Sequence, residues 1–187
     1  LSDDRMRHAK SGAWWENASH RALANNSVSY SEKPDSMAFM REWTALMESG
    51  SGERGIFNRE ASVKQAAKNG RRESCYEFGT NPCSEIILRP NQFCNLTEVV
   101  IRANDSLEDL TRKVRLATVL GTIQSTYTKF PYLRKVWATN TEAERLLGVS
   151  LTGIMDNKLM TTANAGLADT LEHLKNVAVS TNAEWAD

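Results

Sequence analysis

No apolar run in this sequence approaches the roughly 20 residues a bilayer span requires, and its opening, LSDDRMRHAK, lacks the character of a secretory signal. A soluble, cytoplasmic protein without a membrane partner is expected. Excess charge is missing too. With 23 Lys and Arg against 23 Asp and Glu, nothing suggests a nucleic-acid-coating surface. Cysteine is scarce: the three residues Cys75, Cys83 and Cys94 are an odd number without a CxxC pair, which favours neither a disulfide framework nor a zinc site. No metal is expected. The glycine patterns of phosphate cradles are also absent. Ser49-Gly50-Ser51-Gly52-Glu53-Arg54-Gly55 matches neither GxxxxGK[ST] nor GxGxxG and reads as a turning loop. The 187 residues suit one domain. Because they begin on Leu1 rather than Met, a fragment is expected.

What is present is mainly helical pattern. Phe39, Met40, Trp43, Leu46 and Met47 recur at steps of three and four, predicting a core-facing helix that ends before Gly50. Asn58 can cap a helix from Arg59 to Lys68, closed by Asn69-Gly70. Ser106 with Asp109 starts a third, whose stripe is Leu107, Leu110, Val114, Ala117, Leu120 and Ile123, bounded by Pro131. Thr141 with Glu144 repeats the capping pattern for a short helix that Gly148 ends. A last helix carries Leu167, Leu171, Leu174 and Ala178 on one face. Strands are fewer: Ile86-Ile87-Leu88 is β-prone, Arg89 to Gln92 has turn character, and Cys94 to Arg102 reads as a buried strand. The class is mixed α/β. Trp14 and Trp15 read as packing residues, Asn25-Asn26-Ser27 as a turn or cap, and Arg71-Arg72-Glu73 as a solvated face.

The densest chemistry is in Asn81-Pro82-Cys83-Ser84-Glu85. Pro82 lacks an N–H and biases Asn81 away from the helical region, so an extended backbone is expected. Asn81, Cys83 and Glu85 would then project from one side, an amide, a thiol and a carboxylate toward one volume. A reversal near Pro90 would bring Cys94 back toward Cys83. Cys75 stands outside this pattern and reads as incidental.

The surrounding residues, YEFGTNPCSEIILRP followed by FCNLTEVV, closely resemble the finger-loop region of the catalytic chain of ribonucleotide reductases. The likeness extends to RALANNS (Arg21 to Ser27), SGSGERGIFNR (Ser49 to Arg59) and GVSLTGIMD (Gly148 to Asp156), and so covers nearly the whole chain. The short spacing from Cys83 to Cys94 is most similar to the adenosylcobalamin-dependent class. The resemblance implies a portion of a ten-stranded α/β barrel, residues 1–187 being incomplete at both ends, with the radical cysteine on a loop through its centre. It implies Cys83 as the thiyl that takes the 3′-hydrogen, Glu85 as the base on the 3′-hydroxyl and Asn81 as the holder of the ribose hydroxyls. Cys94 would be one of two redox-active thiols that end as a disulfide, its partner lying upstream of Leu1. Further implied are adenosylcobalamin as cofactor, a ribonucleoside di- or triphosphate as substrate, a thioredoxin-type or other dithiol reductant, and a deoxynucleotide effector. The family's upstream redox cysteine and its phosphate-binding loop have no counterpart here, so the isolated fragment is expected to be inactive. Two other readings stand beside this one. One is a reductase chain fed by a separate diiron radical subunit. The other is a non-enzymatic thiol-redox or metal-binding module of Cys75, Cys83 and Cys94, whose spacings fit no standard zinc pattern.

Overall fold

The computed structural model describes residues 4–50, 54–68, 70, 72–162 and 165–186. They form two compact units, Leu1–Pro90 and Asn91–Asp187. The first contains α1 (Asp4–Arg7), α2 (Trp14–Asn17), β1 (Ser27–Tyr30), α3 (Ser36–Ser49), β2 (Gly55–Asn58), α4 (Arg59–Ala67), β3 (Gly79–Thr80) and β4 (Ile87–Leu88). The second contains β5 (Asn95–Val100), α5 (Leu107–Ser125), α6 (Lys135–Glu144), β6 (Leu147–Thr152), α7 (Lys158–Thr161) and α8 (Ala165–Ala186). The architecture is mixed helix and strand. In each unit two parallel strands are joined through helix: β1 pairs with β2, Ser27 opposite Gly55, and β5 with β6, Asn95 opposite Leu147. Parallel neighbours require such a crossover. β3 and β4 are antiparallel. Among the described residues these three two-stranded sheets close no barrel.

In the first unit the Asp35 carboxylate accepts from Met37 and Ala38 N–H at 3.0 Å each, and Gly50 ends α3 in the left-handed region at φ 61°. The helix forms where its pattern predicts, but its apolar stripe is not the core. Met40, Trp43 and Met47 are exposed, while Glu42 and Ala45 are buried. Glu42 is drawn inward because two guanidiniums meet it: Arg7 Nη2 lies 3.0 Å from Oε1 and Arg54 Nη2 lies 2.8 Å from Oε2. Asn58 caps α4, its Oδ1 accepting from Ala61 N–H at 2.9 Å; Asn69, expected to help close that helix, lies outside the described residues. β1 and β2 escaped the sequence reading because four-residue strands leave too short a pattern to separate from turn chemistry.

The second unit has a contiguous apolar core of Val99, Ile101, Leu110, Val114, Ala117, Met160 and Leu174. The capping box at α5 is present as read, Asp109 N–H donating to Ser106 Oγ and Ser106 N–H to the Asp109 carboxylate. Its stripe is displaced. Leu107, Leu120 and Ile123 are exposed, whereas Thr118, Gly121, Thr122 and Ser125 are buried. Small residues let α5 approach β6: a Cβ on Gly121 would lie 2.1 Å from Leu147 Cδ1. The buried hydroxyls are satisfied within the helix, Thr118 and Thr122 each donating to the carbonyl four residues back at 2.8 Å. On α8, Leu174 is buried but Leu171 is exposed, and fully buried Thr181 joins the inward face instead.

Two further expectations are corrected. Thr141 does not start a helix; it is buried in the last turn of α6, where its Oγ1 accepts from Phe93 N–H at 3.3 Å. Arg145 at φ 44° ends that helix, and Gly148 falls inside β6. The strand predicted from Cys94 to Arg102 is shorter, Asn95–Val100, and one-sided: Val99 is buried while Leu96 and Val100 are exposed.

Gly153 closes β6 at φ 74°, and a Cβ there would lie 2.4 Å from the Ile101 carbonyl oxygen. Left-handed strain and overpacking against backbone add, so Gly153→Ala should cost roughly 2–4 kcal/mol. Urea unfolding of the second unit measures this, and an unchanged midpoint would contradict the geometry.

The β5–α5 connection is clipped by Asp105, which accepts from Lys113 Nζ and from Arg102 N–H at 2.8 Å. The Lys113 hydrogen bond first, then that of Arg102, holds the Asp105 carboxyl below the usual carboxylate range. A depressed folded value means its stabilisation is present above the unfolded pKa, near 4, and is lost as pH falls through the lower folded value. Asp105→Asn should therefore be less stable than the native chain near neutrality, with the difference shrinking in acid. Denaturant midpoints across about pH 7 to 2 test the sign.

Candidate functional site

Asn81 to Glu85 is not an extended strand. It is the tip of the β3–β4 hairpin. Ser84 N–H donates to the Asn81 carbonyl at 3.0 Å, making Asn81-Pro82-Cys83-Ser84 a β-turn, and Asn81 N–H donates to the Ile86 carbonyl at 3.3 Å. Pro82 at the second turn position supplies the φ a turn needs. Ser84 follows in the left-handed region at φ 71°. This reversal breaks the two-residue alternation expected for Asn81, Cys83 and Glu85. Asn81 is half-buried at the neck, its Oδ1 accepting from Ile86 N–H at 3.0 Å, while Cys83 and Glu85 are exposed. Among the described residues Glu85 has no hydrogen-bond or ion-pair partner.

The hairpin base is held by three arginines. Arg72, expected on a solvated face, donates to the Ile87 carbonyl at 3.0 Å and lies 5.2 Å from the Phe78 ring centre; Arg71 lies outside the described residues. Arg59 Nε donates to the Phe78 carbonyl at 2.8 Å. Arg89, buried, stacks 4.1 Å from the Tyr76 ring centre. Phe78 itself is fully buried. The tip thus stands on an ordered base, with Cys83 presented to solvent.

Asn25, read only as a turn residue, also reaches the tip: its Nδ2 donates to the Pro82 carbonyl. Its signal in the sequence was membership of RALANNS, 57 residues from its partner, a separation no local pattern bridges. Cys75, Cys83 and Cys94 are all thiols; Cys75 is exposed and Cys94 half-buried. Cys83 belongs to the first unit and Cys94 to the second.

Beside the carboxyl ends of β1 and β2 is a cavity of about 520 Å³, walled by Tyr30, Phe39, Met40 and Ile56 with Glu32 and Glu60 among its polar lining. Burial first, then the Glu42 charge, pushes the Tyr30 hydroxyl above its ordinary pKa. A space of that size takes a drug-sized molecule. It is smaller than a corrin macrocycle with its nucleotide tail and is not assigned to the adenosylcobalamin the resemblance implies. Among the described residues no three His, Cys, Asp or Glu side chains are grouped to hold a metal, and no helix is long and apolar enough to cross a membrane. Neither a protein-family model nor a curated protein matches this chain.

Left-handed Ser84 sets a direct test of the turn. Ser84→Val places a β-branched residue at positive φ, costing about 1–2 kcal/mol, whereas Ser84→Gly removes that strain. Hydrogen exchange at the Ser84 and Ile86 amides should accelerate about 5–30-fold in the valine variant only. Equal protection in both would exclude the turn described.

Proposed function

We propose that this chain is part of the catalytic chain of a cytoplasmic ribonucleotide reductase, reducing a ribonucleoside di- or triphosphate by a thiyl-radical route. The observation that carries the reading is the exposure of Cys83 at the tip of a hairpin braced at its base, between Asn81 at the neck and Glu85 on the returning limb. A radical thiol needs that arrangement: access to substrate together with a fixed backbone. The parallel pairs β1–β2 and β5–β6, each with helical crossovers, are units from which an α/β barrel can be assembled.

Cys83 as a thiyl takes the ribose 3′-hydrogen, forming S–H and leaving a carbon radical. Glu85 accepts the 3′-hydroxyl proton, which lets the 2′-hydroxyl leave, protonated, as water. Of two redox thiols, one of them Cys94, one gives the proton with which the 2′-hydroxyl leaves as water and the other the hydrogen that forms the C2′–H bond. Joined as a disulfide they pass the second electron to the 3′-carbonyl, Glu85 returns its proton to O3′, and the S–H of Cys83 returns its hydrogen to C3′, restoring the thiyl. Ribonucleotide and dithiol thus give deoxyribonucleotide, water and disulfide. Asn81 can hold the ribose hydroxyls through its Nδ2 while its Oδ1 keeps the turn closed. The resemblance points to adenosylcobalamin as the generator of the radical and to a thioredoxin-type protein as reductant. Neither is needed to assign these side chains.

In the full-length protein, Cys83→Ala should bind ribonucleotide normally and form no deoxynucleotide, and Glu85→Gln should slow the chemical step by about 10²–10⁴-fold. Product formation with and without added adenosylcobalamin measures both the residues and the class. Sustained reduction by Cys83→Ala would overturn the assignment.

A further inference from the structure

A type I and a type II β-turn differ by a flip of the central peptide, the one joining the second and third residues. In the turn at the hairpin tip this is the Pro82–Cys83 peptide, and its carbonyl accepts the Asn25 amide. Cys83 does not have positive φ, whereas type II requires it at the third position, so the peptide is in the unflipped orientation. Flipping it would swing the Cys83 N–H and reorient the bond that carries the thiol.

Asn25 is itself held in place. The next residue, Asn26, donates through Nδ2 to the Met6 carbonyl and accepts through Oδ1 from Arg54 Nη1 at 3.3 Å. Arg54 is buried on Glu42, which Arg7 grips from the other side. The Asn26 carbonyl accepts from Gly55 N–H at 3.0 Å, extending the β1–β2 ladder. Asn25 therefore projects from a segment anchored by a strand pair and a buried ion triad.

We propose that Asn25 is a positioning residue: a latch on the Pro82–Cys83 peptide that holds one turn type and thereby aims the Cys83 thiol. Its catalytic consequence rests on the reductase reading; the latch itself does not. Asn25→Asp has nearly the same shape but offers a carboxylate, which cannot donate to a carbonyl above about pH 4.

The test uses the full-length protein with ¹⁵N-labelled backbone. In Asn25→Ala, the Cys83 amide should enter exchange with a second state whose population rises about fivefold, the shift an ordinary hydrogen bond controls, while signals of β1 and β2 stay in place. Asn25→Asp should behave the same at neutral pH and return toward a single state as its carboxyl protonates. In turnover assays both variants should lose kcat at neutral pH in proportion to the fall in population of the latched state seen at the Cys83 amide, with KM unchanged. A single unshifted Cys83 amide in Asn25→Ala, or changes spread through the whole first unit, would overturn the latch. Exchange at Cys83 without any loss of kcat would leave the latch standing and refute its catalytic role, and Cys83→Ala retaining reduction would refute the reductase reading alone.

Discussion

The carboxylate of Glu42 is 3% exposed and lies between the guanidiniums of Arg7 and Arg54. Taking such a charge out of water costs several kcal/mol unless it is paired and hydrogen-bonded on both sides, as it is here. Glu42 in turn holds the Arg7 pKa above its ordinary value, chiefly through their hydrogen bond. The triad joins the N-terminal segment, α3 and the residue before β2. Through Asn26 it fixes the segment from which Asn25 reaches the hairpin. Much of the first unit depends on this one requirement, because among its described residues the buried apolar ones are few: Val28, Ala45, Ala66 and Phe78.

The hairpin applies the same logic on a smaller scale. Its strands are two residues each, too short to be stable on ladder hydrogen bonds alone. Arg59, Arg72 and Arg89 supply what pairing cannot, combining bonds to backbone carbonyls with stacking on Phe78 and Tyr76. Planar guanidinium suits both tasks, which a lysine ammonium would not. The outcome is a tip with the Cys83 thiol exposed above a base held by side chains.

The second unit is organised by apolar packing. Small residues on α5 let helix and strand approach closely, and Thr118 and Thr122 can face inward because their hydroxyls bond to the preceding turn, whereas the buried hydroxyl of Thr181 on α8 has no such partner. This is why a hydrophobic stripe located only part of the buried face: Leu110, Val114 and Ala117 lie inside as read, and Leu107, Leu120 and Ile123 do not.

The sequence by itself determined α3, α4 and α5, because caps and 3.6-residue periodicity act within one or two turns, although the same capping pattern at Thr141 and Glu144 falls inside α6 rather than at a helix start. Asp35, Asn58 and Ser106 cap as their chemistry requires. It also marked Asn81, Cys83 and Glu85 by residue type, but the convergence expected of an extended segment is broken by the turn. Tertiary structure decided the rest. Pro82 favours a turn as readily as a strand, and only the pairing of β3 with β4 and the left-handed Ser84 chose the turn. Whether Glu42 or Met40 faces inward depended on where Arg7 and Arg54 arrive, and the bond from Asn25 to Pro82 spans 57 residues. Charge pairing and long-range hydrogen bonds are satisfied by position in space, and neighbours along a chain carry no record of that position.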